Sequence, residues 1–229
     1  MIATDRFVFL HLHKCGGTFV TQWLLEYFHG ATRIGYHLPR SKIPPEFRRL
    51  PVLGTVRNPW SYYVSWYSFQ SGMQQPNALF RLVSDDGRLG FNGTIRNMLE
   101  LGRDDGLLDR LLARLPADYT NRGLNRPARN AAGIRGTGLG FYSFLHGYMY
   151  DGEPAAKVVR LEEMRTAFPD QVEGVGGTVT AAAREAMANR PVARGSNHRE
   201  YAEYYDASLR DLVGERDQSV IGPYSYCFG

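Results

Sequence analysis

Residues 7–12 (Phe-Val-Phe-Leu-His-Leu) form an apolar run of strand length. From Thr18 to Phe28 the apolar positions recur at helical spacing, so the pattern predicts a strand, a turn and a helix. The same order returns at Val52–Val56, a buried-strand candidate, followed by Asn58 as N-cap, Pro59 as first helical residue and a helix over Trp60–Phe69. Between these two units Arg33–His37 reads as a short strand or its approach, and Pro39, Pro44 and Pro45 break regular structure. Residues 72–90 read as a loop, 91–101 and 107–115 as helices, and the Gly/Arg/Asn-rich 121–140 as a surface loop. Phe141–Tyr150 is an aromatic helix expected in the core, and Ala156–Leu161 a third central strand. A helix over 178–188 with Thr178 or Thr180 as cap, a polar loop over 189–198, and final helices over 198–205 and 207–216 complete the reading.

At 229 residues, with no internal repeat or linker, the chain fits a single α/β domain, 1–229. Apolar content of 43% and charged content of 22% are those of an ordinary globular protein. No apolar run is long enough to span a membrane, and the first residues lack the features of a signal peptide. Two cysteines, Cys15 and Cys227, build neither a disulfide framework nor a zinc site, so a reducing cytoplasm is the expected setting and no metal is expected. A net charge of +4 suits an anionic small ligand and is too weak to argue for nucleic acid.

That charge balance gives the first turn weight. The only lysines are Lys14, Lys42 and Lys157, and Lys14 stands in the turn His13-Lys14-Cys15-Gly16-Gly17-Thr18. A helix N-terminus offers free backbone N–H groups and the positive end of a dipole, glycines let the backbone approach an anion, and a lysine adds a full charge. The order is not that of the nucleotide-kinase loop, in which lysine follows the glycines. At the second turn Arg57 ends the strand, and Ser65 lies two helical turns beyond it.

Lys14-x-Gly16-Gly17-Thr18 directly after a strand resembles the 5′-phosphosulfate loop of sulfotransferases that use 3′-phosphoadenosine 5′-phosphosulfate (PAPS). Arg57-Asn58-Pro59 with Ser65 resembles the 3′-phosphate motif of the same family. His11-x-x-Lys14-Cys15-Gly16-Gly17-Thr18 looks most like the carbohydrate-modifying, heparan sulfate 2-O-like branch, from which His13 departs because proline is commoner there. The resemblance covers roughly residues 6–70. It implies a P-loop-like three-layer fold with a central, mostly parallel sheet flanked by helices. It also implies donor binding by Lys14, Cys15, Gly16, Gly17, Thr18, Arg57 and Ser65, with Arg194 and Gly195 in a loop closing over the nucleotide. Glu162-Glu163-Met164 after the third strand, and the tail Gly222-Pro223-Tyr224-Ser225-Tyr226, are similar to late family features.

On this resemblance the reaction is transfer of a sulfuryl group from PAPS to a hydroxyl of a carbohydrate or other small acceptor, leaving PAP, the 3′,5′-bisphosphate. Lys14 meets the leaving-group charge. His37, between the two motifs, resembles the histidine base of the 2-O-sulfotransferases. Read alone, a single histidine more often packs in a core or lies on the surface. His11 and Glu162 are the other candidates for the base. A nucleotide-dependent kinase and a non-catalytic nucleotide-binding protein are the rival readings; the first lacks a convincing magnesium carboxylate in the sequence.

Overall fold

The computed structural model describes residues 1–191 and 198–229. Five strands form one sheet: β1 (Ile2–Ala3), β2 (Val8–Leu10), β3 (Thr32–Arg33), β4 (Val52–Val56) and β5 (Lys157–Arg160). The α-helices are α1 (Gly17–Tyr27), α2 (Pro59–Ser71), α3 (Ala78–Val83), α4 (Phe91–Glu100), α5 (Asp105–Leu112), α6 (Ala128–Ala131), α7 (Phe141–Tyr150), α8 (Met164–Glu173), α9 (Ala181–Asn189), α10 (Ala207–Arg216) and α11 (Gln218–Ile221). The chain divides into two compact units, Met1–Arg57 with His146–Gly195, and Asn58–Leu145 with Ser196–Gly229. In sequence, the second unit is an insertion between β4 and β5, completed by the C-terminal segment.

The first unit is an open mixed α/β sheet flanked by helices, in the order β3-β1-β2-β4-β5. The expected mostly parallel sheet is only partly so. β2–β4 and β4–β5 are parallel, whereas β1 pairs antiparallel with both β2 and β3. The cause is local: only Thr4 to Phe7 separate β1 from β2, too few residues for a parallel crossover. Thr4 closes that turn, its Oγ1 donating to Phe7 O and accepting from Phe7 N, both at 2.9 Å. β5 lies at the sheet edge rather than in its centre, and β3 is two residues long.

Every residue of β2 and β4 is buried, which explains why they are apolar apart from Gly54 and Thr55. Phe7, Phe9 and Leu53 pack with Phe19, Val20, Trp23 and Leu24 of α1, Phe168 and Val172 of α8, and Met187 of α9. Trp23 Nε1 donates to Ala183 O at 2.7 Å, so the largest side chain of that core leaves no polar atom stranded. Tyr150, the last residue of α7, is the counterpart against the sheet: its hydroxyl donates to Thr55 O at 2.9 Å and accepts from Thr55 N at 3.1 Å. Gly54 makes this possible, since a Cβ there would sit 2.3 Å from the Tyr150 ring.

The second unit is helical among the described residues. The segment 72–90 is not all loop: Asn77 caps α3, accepting from Phe80 N at 2.9 Å. α6 likewise lies within 121–140, and the helix expected over 198–205 shrinks to a 3-10 turn at Tyr201–Tyr204. Asp217, fully buried, organises this unit, receiving Tyr63 Oη at 2.7 Å and the first-turn Ser143 N of α7 at 2.8 Å. Burial raises its carboxyl from 3.8 to about 6, against the pull of those two donors. Gly140 is required there, because a Cβ would lie 2.5 Å from Asp217 Oδ1.

Candidate active site

The turn after β2 carries the candidate chemistry. Lys14 adopts the left-handed conformation, φ 58°, and Gly16 follows at φ 76° as the N-cap of α1. Left-handed non-glycine residues elsewhere among the described residues are Asp, Asn, one Ser and His37, at φ 49°. Asp, Asn and His tolerate that region, whereas a lysine is held there only by its surroundings. No side chain caps α1, and its first turn holds no acidic residue, so no carboxylate of its own answers the N-terminal dipole.

Gly16 and Gly17 serve the fold as well as any ligand. A Cβ on Gly16 would lie 2.6 Å from Leu161 Cδ1, and one on Gly17 would lie 1.9 Å from His11 Cδ2. The His11 ring therefore sits against the start of α1 and dictates glycine at position 17. Cys15 is fully buried, and its carbonyl accepts from Thr55 Oγ1 of β4 at 2.6 Å, tying the turn to the neighbouring strand. Thr18 follows Gly17 in the first turn of α1, half-buried.

Arg57, at the end of β4, reaches the same turn, with Nη1 donating to Lys14 O at 3.3 Å. Two cationic residues thus meet at an uncapped helix N-terminus. Burial, and then the Arg57 charge, lower the Lys14 ammonium from 10.5 to about 8. An anion placed there would favour the charged ammonium and so act against both effects.

Three histidines gather on the other side of the turn. His37, 5% exposed, holds its Nδ1 2.6 Å from His11 O. A carbonyl only accepts, so Nδ1 carries the hydrogen and the neutral ring keeps its lone pair on Nε2. The His13 ring stacks on His37 with centroids 3.6 Å apart and planes 18° apart. His11 and Tyr36 meet His37 edge-on at 4.3 and 3.9 Å. Burial, and then the neighbouring histidines, hold His37 well below the usual histidine range; burial does the same to His11. A neutral imidazole with a free Nε2 is the form that can take a proton.

The structure brings Lys14, Cys15, Gly16, Gly17, Thr18, His37 and Arg57 together in the first unit. Ser65 lies in α2 of the second unit, 2% exposed. Arg194 and Gly195 lie outside the described residues. Glu162 falls in the 3-10 turn after β5. Sequence reasoning missed the packing of His13 and Tyr36 on His37; the signal was His13 itself, at a position where the resemblance favours proline. A cavity of about 510 Å³ in the second unit, lined by Arg103, Arg135 and Gly136 among others, holds none of these residues. Its Arg135 is already held by Asp105 at 2.6 Å and by Asp109. Among the described residues no group of His, Cys, Asp or Glu has the arrangement of a metal site, and no helix is long and apolar enough to cross a membrane. Compared with known proteins, the chain matches no protein-family model and no curated protein.

Proposed function

We propose that this chain is a PAPS-dependent sulfotransferase of P-loop-like build that acts on a hydroxyl of a carbohydrate or other small acceptor. One observation carries the reading. Lys14, strained into a left-handed turn, and Arg57, donating to its carbonyl, stand together at the uncapped start of α1. That arrangement sets two cationic residues at a helix start whose own first turn holds no acidic residue, and a phosphosulfate is the anion the motif order calls for.

In the reaction the acceptor oxygen forms a bond to sulfur as the bond from sulfur to the 5′-phosphate oxygen breaks. The electron pair of that bond stays with the phosphate, where Lys14 and the N–H groups of Gly16, Gly17 and Thr18 meet the growing charge. The hydroxyl proton passes to His37 Nε2. Arg57 answers the second phosphate of the donor.

Thermal protection tests the binding half of the proposal. PAP is expected to raise Tm in a dose-dependent way, with ATP and GTP far weaker at equal concentration. Protection by ATP with magnesium and not by PAP would favour a kinase. Protection by PAP without turnover of labelled PAPS against glycans, phenols and lipid alcohols would favour a non-catalytic binder.

A further inference from the structure

We infer that His13 is a positioning residue for His37: its imidazole, stacked on the ring of the base, seats that ring with Nε2 as the proton acceptor and sets how readily it accepts. The catalytic part rests on the sulfotransferase reading above; the seating does not.

The geometry comes in three parts. The bond from His37 Nδ1 to His11 O, at 2.6 Å, fixes the tautomer while it holds, but rotation of the ring about Cβ–Cγ would break it. The His13 ring, 3.6 Å away and only 18° from parallel, covers one face and removes that freedom. His11 and Tyr36, at 62° and 63°, meet the ring edge-on. His37 itself stands at φ 49°, so its backbone too is held where it turns the side chain into this group.

Charge follows from contact. When His37 takes the acceptor proton it becomes a cation lying on the π face of His13, which is favourable while His13 is neutral and unfavourable once His13 is charged. The other titratable or charged groups around His37 are His11 on the turn after β2, Tyr36 beside it, and the Met1 amine, which donates to Gly35 O at 2.6 Å. Arg33 of β3 acts on His11. Of these only His13 lies parallel on the ring. Proline, which the resembled motif favours at position 13, could neither stack in this way nor carry a charge.

The test is a two-bond ¹H–¹⁵N correlation of the histidine rings in the full chain across pH. Wild type, His13→Phe and His13→Ala are compared, beside pH profiles of kcat/KM with labelled PAPS. Wild type is expected to show His37 as the Nδ1–H tautomer. His13→Phe keeps a flat ring without a charge, so the His37 titration and the acid limb of the profile both move to higher pH. His13→Ala lets the ring turn away from His11 O, so both tautomers appear and kcat falls about tenfold or more with KM for PAPS unchanged. An Nε2–H tautomer in wild type overturns the inference without any variant, as does a His37 titration that His13→Phe leaves in place. The expected spectra without PAPS turnover would tell against the sulfotransferase reading and leave the seating of His37 standing.

Discussion

The two strand-to-helix corners are built from similar sequence ingredients and end differently. At the start of α1 the N-cap is Gly16, which has no side chain to offer, and the backbone turns left-handed to bring Lys14 alongside. At the start of α2 the N-cap is Asn58, whose Oδ1 accepts from Trp60 N at 3.1 Å and Ser61 N at 3.3 Å. Its Nδ2 donates to Cys227 O at 2.9 Å, and Pro59 contributes no N–H at all. One helix start is left without a side-chain cap; the other is occupied by its own chain. On the proposed reading, the anion goes to the corner whose helix start has no side-chain cap. The second corner contributes a guanidinium, not a helix dipole, and Arg57 directs it to the first corner.

The sharpest way to break this contrast is Lys14→Ala. Loss of a preorganised charge at the leaving group is expected to lower kcat with PAPS at least about a hundredfold, roughly 3–4 kcal/mol of barrier, with an unchanged circular dichroism spectrum. A rate near wild type would remove Lys14 from the chemistry. Arg57→Ala removes a charged donor from the same site, and the Kd for PAP measured by calorimetry is expected to weaken by about 1.5–3 kcal/mol.

The glycines separate architecture from binding. Gly17→Ala drives a methyl into the His11 ring, and urea unfolding should show a loss of about 1–3 kcal/mol. Asn58→Ala should cost about 1 kcal/mol of stability and leave PAP affinity where it was, since that helix start serves the fold. If Asn58→Ala weakened PAP as much as Arg57→Ala does, the contrast between the corners would be lost.

Proton linkage gives the smallest effects and a separate check. Lys14 titrates near 8 in the free protein, and a bound bisphosphate raises that value, so PAP binding takes up a proton and its affinity falls as pH rises beyond 8. Lys14→Arg, which does not titrate in this range, should flatten that dependence. Stability runs the other way. His11 and His37 have folded values below 6.5, so the unfolded chain binds more protons there, and their contribution is whole above 6.5 and lost as pH falls below it. His146, lowered by burial to about 4, adds to this loss. Asp217, raised to about 6, opposes it, because its contribution is present at low pH and disappears as pH rises from 3.8 through 6. Three histidines against one aspartate leave a net fall in the urea midpoint between pH 7 and pH 5.5.

Much of the candidate site was legible because its parts are neighbours in sequence. Val52–Val56 as strand, Asn58 and Pro59 as helix start, and the glycine turn after β2 each follow from short-range rules of burial, capping and backbone freedom. Thr180 as cap of α9, accepting from Ala183 N at 3.2 Å, belongs with them. α8 was illegible because Pro169 interrupts its pattern from inside the helix. α3 and α6 were hidden by the Gly, Pro and Asn that crowd their flanks, and β1 by being only two residues long.

Residue pattern alone therefore determined two strands, the helices that follow them, and where a lysine and an arginine stand at their junctions, since neighbours along the chain impose these through hydrogen bonds and side-chain period. Tertiary structure alone decided the mixed order of the sheet and the place of β5 at its edge. It also decided the reason for Gly17, the His13 ring lying on His37, and the carboxylate of Asp217 at the start of α7. Those depend on groups brought together from distant segments, 74 residues apart in the case of Asp217 and Ser143, and no local periodicity records which distant group will arrive.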